Sequence, residues 1–131
     1  MAECDWAILC DYAFLDVDRK TCIIGAFDRV FAAGVPGGLT RASIALKILG
    51  SPNEQANFRL EIVRPTGGQL LSAQGAAVIG DSSTADVQFH LVGVPLPDYG
   101  VYSVNIFVND SPPRQISFQV VTPPQSVPPQ A

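Results

Sequence analysis

Residues 98–121 show a regular alternation of apolar and polar side chains on both sides of one short turn. A period of two residues is typical of β-strands that bury one face, and two such strands joined by a short turn predict a hairpin. The turn falls at residues 109–113, where Asn, Asp, Ser and two Pro follow one another. The apolar positions on either side of it are Tyr102, Val104, Ile106, Val108, Ile116, Phe118 and Val120.

The rest of the chain repeats this pattern and shows almost no helical periodicity. Short apolar or alternating segments are separated by Gly/Pro turns. Residues 21–31 predict one mostly apolar second strand, in which Gly25 marks a bulge or a close backbone approach. Residues 32–40 form a crossing loop because two Pro/Gly clusters occupy nine positions, and residues 93–97 form another loop. The alternation over residues 43–62 predicts that Ser43 and Lys47 point outward and that the inward side chains are Ile44, Leu46, Ile48, Phe58, Leu60 and Ile62. About eight strands in 131 residues predict one all-β domain over residues 1–121, an antiparallel β-sandwich, with a closed barrel as the alternative. Residues 122–131 are Pro/Gln-rich and predict a flexible, extended tail.

The beginning of the 98–121 segment carries the most specific fold signal. Asp98-x-Gly100-x-Tyr102-x-Val104 resembles the tyrosine corner of immunoglobulin-like domains, in which the Tyr hydroxyl bonds to the backbone just upstream. The resemblance implies an immunoglobulin-like sandwich. Val104 stands where antibody domains have their second cysteine, so no disulfide between the sheets is implied.

Two segments of the N-terminal third resemble a protein family. Residues 10–13 read Cys-Asp-Tyr-Ala, and residues 24–32 contain Gly-x-Phe-Asp-Arg. Together they resemble a family of bacterial proteins that carries a domain-of-unknown-function label, the DUF6941-like proteins. The resemblance extends to the strand that ends near Val121. It implies a small β-rich bacterial protein and brings no activity with it.

Composition narrows the classes of partner. Only 15% of the residues are charged, against roughly 25% in an average domain, so we expect a partner, a second copy or a membrane to cover apolar surface. The formal net charge of -4 argues against a nucleic-acid partner, which needs clustered Lys and Arg. No apolar run approaches the ~18 residues of a membrane span. The acidic start and three scattered cysteines predict a cytoplasmic protein with reduced thiols.

The first strand, residues 6–15, is apolar on both faces. Trp6, Ile8, Cys10, Tyr12 and Phe14 point one way, and Ala7, Leu9, Ala13 and Leu15 point the other, with Asp11 among them. Such a strand is either central and covered twice, or an edge strand whose outer face contacts something else. We therefore predict self-association or a protein partner, with Trp6, Leu9 and Leu15 as interface candidates.

Three charged side chains, Asp11, Asp28 and Arg29, lie inside apolar segments. A buried carboxylate costs several kcal/mol unless it is paired. If the first two strands form a hairpin, Asp11 and Arg29 come near one another across it. We predict a structural salt bridge or carboxylates that satisfy turns, with a ligand site as the alternative.

The sequence predicts no catalytic residues, no metal and no cofactor. His90 is the only histidine, and the alternation around it places it on the surface. No nucleophile lies in a recognisable catalytic motif, and the cysteines lack zinc spacing. We therefore predict a non-enzymatic interaction or assembly module with Asp98, Gly100 and Tyr102 in structural roles. The alternative is a sandwich that binds calcium or a carbohydrate through Asp-containing loops, with candidates at Asp16, Asp18, Asp81, Asp98 and Asp110.

Overall fold

The computed structural model describes residues 1–124, so the predicted tail lies outside it from position 125 onward. Nine strands make up the described residues, which contain no helix and therefore none that could cross a membrane. The strands form a four-stranded sheet, in the order β2-β1-β4-β7, and a five-stranded sheet, in the order β3-β9-β8-β5-β6. Their bounds are β1 Glu3–Leu15, β2 Thr21–Ala26, β3 Arg29–Phe31, β4 Gly37–Leu49, β5 Gln55–Val63, β6 Gln69–Val78, β7 Thr84–Leu96, β8 Gly100–Val108 and β9 Arg114–Val121.

The prediction of an all-β sandwich is confirmed. The inner faces of the two sheets meet in one large apolar cluster, to which nearly every long strand contributes alternate residues. Each large side chain that this cluster buries contributes about 1.5–3 kcal/mol relative to an exposed position. The predicted inward positions of β4, β5 and β8 are all buried, namely Ile44, Leu46, Ile48, Phe58, Leu60, Ile62, Tyr102, Val104, Ile106 and Val108.

The segment predicted as one second strand is two strands that belong to different sheets. The N–H of Phe27 donates to the carbonyl of Leu9 in the four-stranded sheet, at 3.0 Å. The carbonyl of the next residue, Asp28, accepts from the N–H of Gln119 in the five-stranded sheet, at 2.8 Å. The chain thus changes sheets within two residues. It continues as β3, which pairs with β9 in parallel, so the sandwich is not wholly antiparallel.

The loop predicted at residues 32–40 is shorter than expected. Strand β4 begins at Gly37 and pairs with β7 from Gly37–Leu96 to Leu49–Thr84, the longest ladder of the fold. Isolated glycines weaken a strand, but a long partner strand supplies enough main-chain hydrogen bonds to hold them in the ladder. The same ladder includes Gly93 and Pro95, which the sequence analysis had placed in a loop.

Tyr102 connects the start of β8 to the core. Its side chain is fully buried and stacks on the ring of Phe118, with 5.0 Å between the ring centroids. The hydroxyl donates to the carbonyl of Asp98 and accepts from the N–H of the same residue, both at 2.9 Å. Burial raises the pKa of Tyr102, and the neighbouring Asp98 carboxylate raises it further. The neutral hydroxyl therefore holds both polar groups of one peptide segment.

The residues around this corner are also constrained. The carboxylate of Asp98 accepts a hydrogen bond from Nε of Arg64 at 2.8 Å, and this bond raises the pKa of Arg64. Gly100 has φ +124°, and a Cβ there would lie 3.1 Å from the ring of Pro65. A side chain at Gly100 is therefore disfavoured both by its backbone conformation and by contact with Pro65.

We expect Tyr102→Phe to lower the free energy of unfolding by about 1–3 kcal/mol, because it leaves the N–H and C=O of Asp98 without their partner. Urea unfolding followed by circular dichroism measures this loss. The matched control is Tyr99→Phe, which removes one hydrogen bond to the carbonyl of Ala32 at a residue 38% exposed. Equal losses in the two variants would contradict a special role for the buried hydroxyl.

Candidate functional site

The outer face of the four-stranded sheet carries a group of apolar side chains. β1 contributes a row of alternate residues, and the strand register places side chains of β2, β4 and β7 beside them. We call this surface the β1 face. Its apolar members are Trp6, Ile8, Cys10, Tyr12, Phe14, Ile24, Ala45 and Val92, of which Ile24 is 56% and Val92 76% exposed.

Small residues of β4 lie at the centre of the β1 face. Ser43 and Ala45 point outward, yet both are fully buried because larger side chains of the flanking strands lie over them. Cys10 and Ala45 belong to a small apolar cluster separate from the main core, with Trp6 packed against it. The side chains of β1 and β7 therefore extend over β4, which lies between these two strands in the sheet.

Aromatic and cationic groups occupy one end of the β1 face. The rings of Tyr12 and Phe14 stack with 5.6 Å between centroids, and the ring of His90 lies 5.6 Å from that of Tyr12. The guanidinium of Arg41 lies over the Tyr12 ring, 4.2 Å from its centroid. At the other end, Lys47 and Asp86 form an ion pair at 4.0 Å. Polar residues thus border an apolar centre, an arrangement typical of protein-interaction surfaces.

His90 contacts a serine that the sequence analysis did not connect with it. Oγ of Ser43 lies 2.9 Å from Nδ1 of His90, and the carbonyl of Ser43 accepts from Sγ of Cys10. A Ser–His pair is a component of hydrolytic sites. Here, however, the Ser43 side chain is fully buried, so a substrate carbonyl cannot approach its oxygen. The hydrogen bond fixes the imidazole on the β1 face.

Asp11 is exposed, so the expectation that it is buried and needs a charged partner is wrong. Its side chain lies against Gly25 of β2, and a Cβ at Gly25 would clash with the Asp11 carboxylate. Gly25 also has φ +66°, a conformation that glycine adopts without strain. The close approach predicted from a glycine inside an apolar strand is therefore present, and Asp11 is the group that approaches.

The predicted salt bridge between Asp11 and Arg29 is wrong. Arg29 begins β3 in the five-stranded sheet, whereas Asp11 lies on β1 in the other sheet. Asp28 and Arg29 are both exposed at the crossing between the sheets. Their main chain, not their side chains, joins the five-stranded sheet. The carbonyl of Asp28 accepts from the N–H of Gln119, and Arg29 is the first residue of β3 to align with β9.

Of the three predicted interface residues, Leu9 is placed wrongly. It is 5% exposed and belongs to the core between the sheets. Trp6 is half-buried on the β1 face, and Leu15 is 44% exposed at the end of β1. Both faces of β1 are apolar because the inner face packs in the core while the outer face forms the β1 face.

The Asp-containing loops do not come together. Within residues 1–124, no group of three or more His, Cys, Asp or Glu side chains is placed to hold a metal ion. The Asp16 carboxylate accepts from the N–H groups of Asp18 and Lys20 at 2.8 and 2.9 Å, and Asp98 is bonded to Arg64. Asp16 stabilises a turn and Asp98 stabilises the Tyr102 corner, a structural role that is common for Asp in loops.

Comparison with known proteins gives one match. Residues 5–121 match the model of DUF6941, a family of unknown function, across nearly all of the described sandwich. The chain belongs to the DUF6941 family. No curated protein and no solved structure matches it.

Sequence reasoning missed Arg41, Ser43 and Val92 as members of the β1 face. Ser43 was expected on the outer face of β4, but nothing in the sequence aligned it with His90. The pairs Ser43–His90 and Arg41–Val92 follow from the register of β4 against β7. Strand register depends on contacts between distant segments, which a single sequence does not reveal.

We expect Gly25→Ala to lower the free energy of unfolding by about 1–2 kcal/mol, through strain at positive φ and through contact with Asp11. Gly93→Ala is the matched control, because Gly93 has φ +64° and open space around its Cβ position. It should therefore show the backbone penalty alone. Asp11→Ala removes the contact, so in that background Gly25→Ala should lower the free energy of unfolding only as much as Gly93→Ala does in the unmodified protein. Strict additivity of the Asp11 and Gly25 changes in urea unfolding would contradict the contact.

We expect Cys10 to react slowly with thiol reagents in the folded protein. Its side chain is fully buried, and burial raises the pKa of the thiol, with a further rise from the Asp11 carboxylate. Each unit by which a thiol pKa rises lowers the thiolate fraction about tenfold near neutral pH. The measurement is labelling of the Cys4→Ser, Cys22→Ser double variant with and without urea. Equal rates in the two conditions would show that Cys10 is accessible.

Proposed function

We propose that this DUF6941 protein is a non-enzymatic protein-interaction module that binds through the β1 face, either to a second copy or to a different protein. The observation that carries the proposal is the set of apolar side chains that β1, β2 and β7 present on the outer face of one sheet, with Ile24 and Val92 more than half exposed. Soluble monomers rarely expose large contiguous apolar patches, and such patches bordered by polar groups mark interaction sites.

The composition of the β1 face supports a protein partner. Interface centres are enriched in aromatic residues and Arg and are depleted in other charged residues. Trp6, Tyr12 and Phe14 supply the aromatic surface, and the guanidinium of Arg41 is held by the Tyr12 ring. These are the residue types that most often dominate binding energy when a partner excludes water from them.

The same contacts support a non-enzymatic role. The Ser43 hydroxyl of the Ser43–His90 pair is fully buried, and the carboxylates of Asp16 and Asp98 accept hydrogen bonds in a turn and in the Tyr102 corner. We further propose that the sandwich is immunoglobulin-like and that the hydroxyl of Tyr102 forms its tyrosine corner. The two hydrogen bonds to Asp98 support this assignment.

Ligand binding is a second candidate, and one observation favours it. An open groove of about 1090 Å³ lies at one end of the five-stranded sheet, bordered by Asn57, Arg59, Gln74, Phe107 and Asn109. Glu54 and Asp110 also line the groove, but the Glu54 carboxylate already accepts hydrogen bonds from the N–H groups of Ala2 and Ser51. The amide side chains can both donate and accept hydrogen bonds, which suits a carbohydrate better than calcium. A rise in melting temperature with an oligosaccharide, and none with calcium, would support this candidate.

We expect Ile24→Lys to weaken any association through the β1 face while the fold survives, because the side chain is already 56% exposed. Val101→Lys is the matched control, a β-branched residue 52% exposed on the other sheet. Light scattering across a concentration series measures self-association. Binding of an apolar fluorescent dye measures the open face of a monomer. If the two variants behave alike in both measurements, the proposal fails.

Leu9→Lys tests whether Leu9 belongs to the core or to an interface. Leu9 packs between the sheets, so a lysine there should unfold the protein, with a loss of several kcal/mol. A folded Leu9→Lys variant with reduced association would instead restore Leu9 as an interface residue. Circular dichroism combined with urea unfolding distinguishes the two results.

A further inference from the structure

Strand β6 ends the five-stranded sheet, and one side of its backbone has no partner strand in the described residues. It pairs with β5 from Gln55–Val78 to Val63–Gln69, and the ladder is regular except between Ile62 and Val63. The opposite edge of β6 therefore presents a long row of main-chain N–H and C=O groups. Such a row is a template for adding another strand.

The other three strands that end a sheet each carry a feature that discourages strand addition. β3 has only three residues, and β2 has six, including Gly25 at positive φ. β7 is long but contains Asp86, His90 and Pro95. Short length, charge, proline and local distortion are the usual means by which edge strands avoid pairing.

β6 has only one of these features, an extra residue at Leu70 that distorts the ladder next to the start of the strand. Its sequence, Gln-Leu-Leu-Ser-Ala-Gln-Gly-Ala-Ala-Val, contains no charged residue and no proline in ten positions. Most of its residues are exposed, including Val78 at 65%. Gly75 pairs with Phe58 of β5, and a side chain at position 75 is disfavoured because its Cβ would lie 2.8 Å from the Phe58 ring. The strand is thus held in place from the β5 side and open on the other.

We infer that this edge pairs antiparallel with β6 of a second copy. Two identical strands related by a twofold axis are antiparallel, so the donors and acceptors of one edge meet those of the other without a change of fold. The charges of the two copies do not oppose the pairing, because β6 itself is uncharged. The nearest charges on β5 also form an ion pair within one copy, between Arg59 and Glu61 at 2.9 Å.

The pairing does not depend on the β1 face. β6 belongs to the five-stranded sheet and the β1 face to the other sheet, so either surface can be disrupted without the other. A strand pair alone buries less area than a stable permanent dimer, so we expect a dimer that dissociates on dilution.

The test uses opposite charges at the middle of β6. Gln74→Lys with Ala76→Lys in one variant, and Gln74→Glu with Ala76→Glu in another, place like charges against each other in each homodimer. Both changed residues are exposed, so the fold should survive, as circular dichroism will show. Like charges directly opposite destabilise strand pairs, so each dissociation constant should rise by at least about tenfold. An equimolar mixture of the two variants should recover the mass of a dimer in light scattering.

Hydrogen exchange of the unmodified protein gives a second measurement. Amides of residues 69–78 should exchange more slowly as concentration rises, while those of β7, the edge of the other sheet, should not change. The inference is overturned if the unmodified chain is a monomer up to about 500 μM, a range that covers weak dimers. It is equally overturned if the mixed variants stay monomeric, or if Ile24→Lys alone abolishes the dimer. Loss of the dimer in Ile24→Lys would support self-association through the β1 face instead. A dimer that survives Ile24→Lys supports the β6 pairing.

Discussion

The burial of β4 on both faces is the constraint on which the rest of the structure depends. Five consecutive residues, Ala42 to Leu46, are buried, although only alternate ones point into the core. On the outer side, the small Ser43 and Ala45 allow side chains of β1 and β7 to lie over the strand. A large outward side chain on β4 would lift those neighbours away from the sheet. The small outward residues of β4 therefore allow the β1 face to form over this strand.

Alternation made much of the sandwich predictable from the sequence. The inward residues of β4, β5 and β8 follow a period of two, and each of those predicted positions is buried. Where the pattern was continuous, however, it concealed a change of sheet. Residues 21–31 are extended and apolar throughout, and only the hydrogen bonds of Phe27 and Asp28 show that the two halves belong to different sheets.

The candidate site was predictable only in part. The two-sided apolarity of β1 indicated an exposed apolar surface, but it did not say which side faces the core, and Leu9 was consequently placed on the wrong side. Arg41, Ser43 and His90 come together through the register of β4 against β7, which local sequence does not encode. In contrast, the hydroxyl of Tyr102 bonds to a residue four positions upstream, so a short motif was enough to anticipate its contacts.

The parallel pairing of β3 with β9 also bears on how the chain reaches its folded state. Arg29 to Phe31 align with Gln119 to Val121, and the hydroxyl of Ser111 donates to the carbonyl of Ala2. β1 and β2 pair with each other and with β4, but β3 gains its partner strand only after β9 has left the ribosome. Contacts between such distant segments slow folding, because the chain entropy must be lost before they form. During synthesis, the apolar β1 strand remains without its complete sandwich until almost the whole domain has emerged, and that interval is when it most needs protection from aggregation.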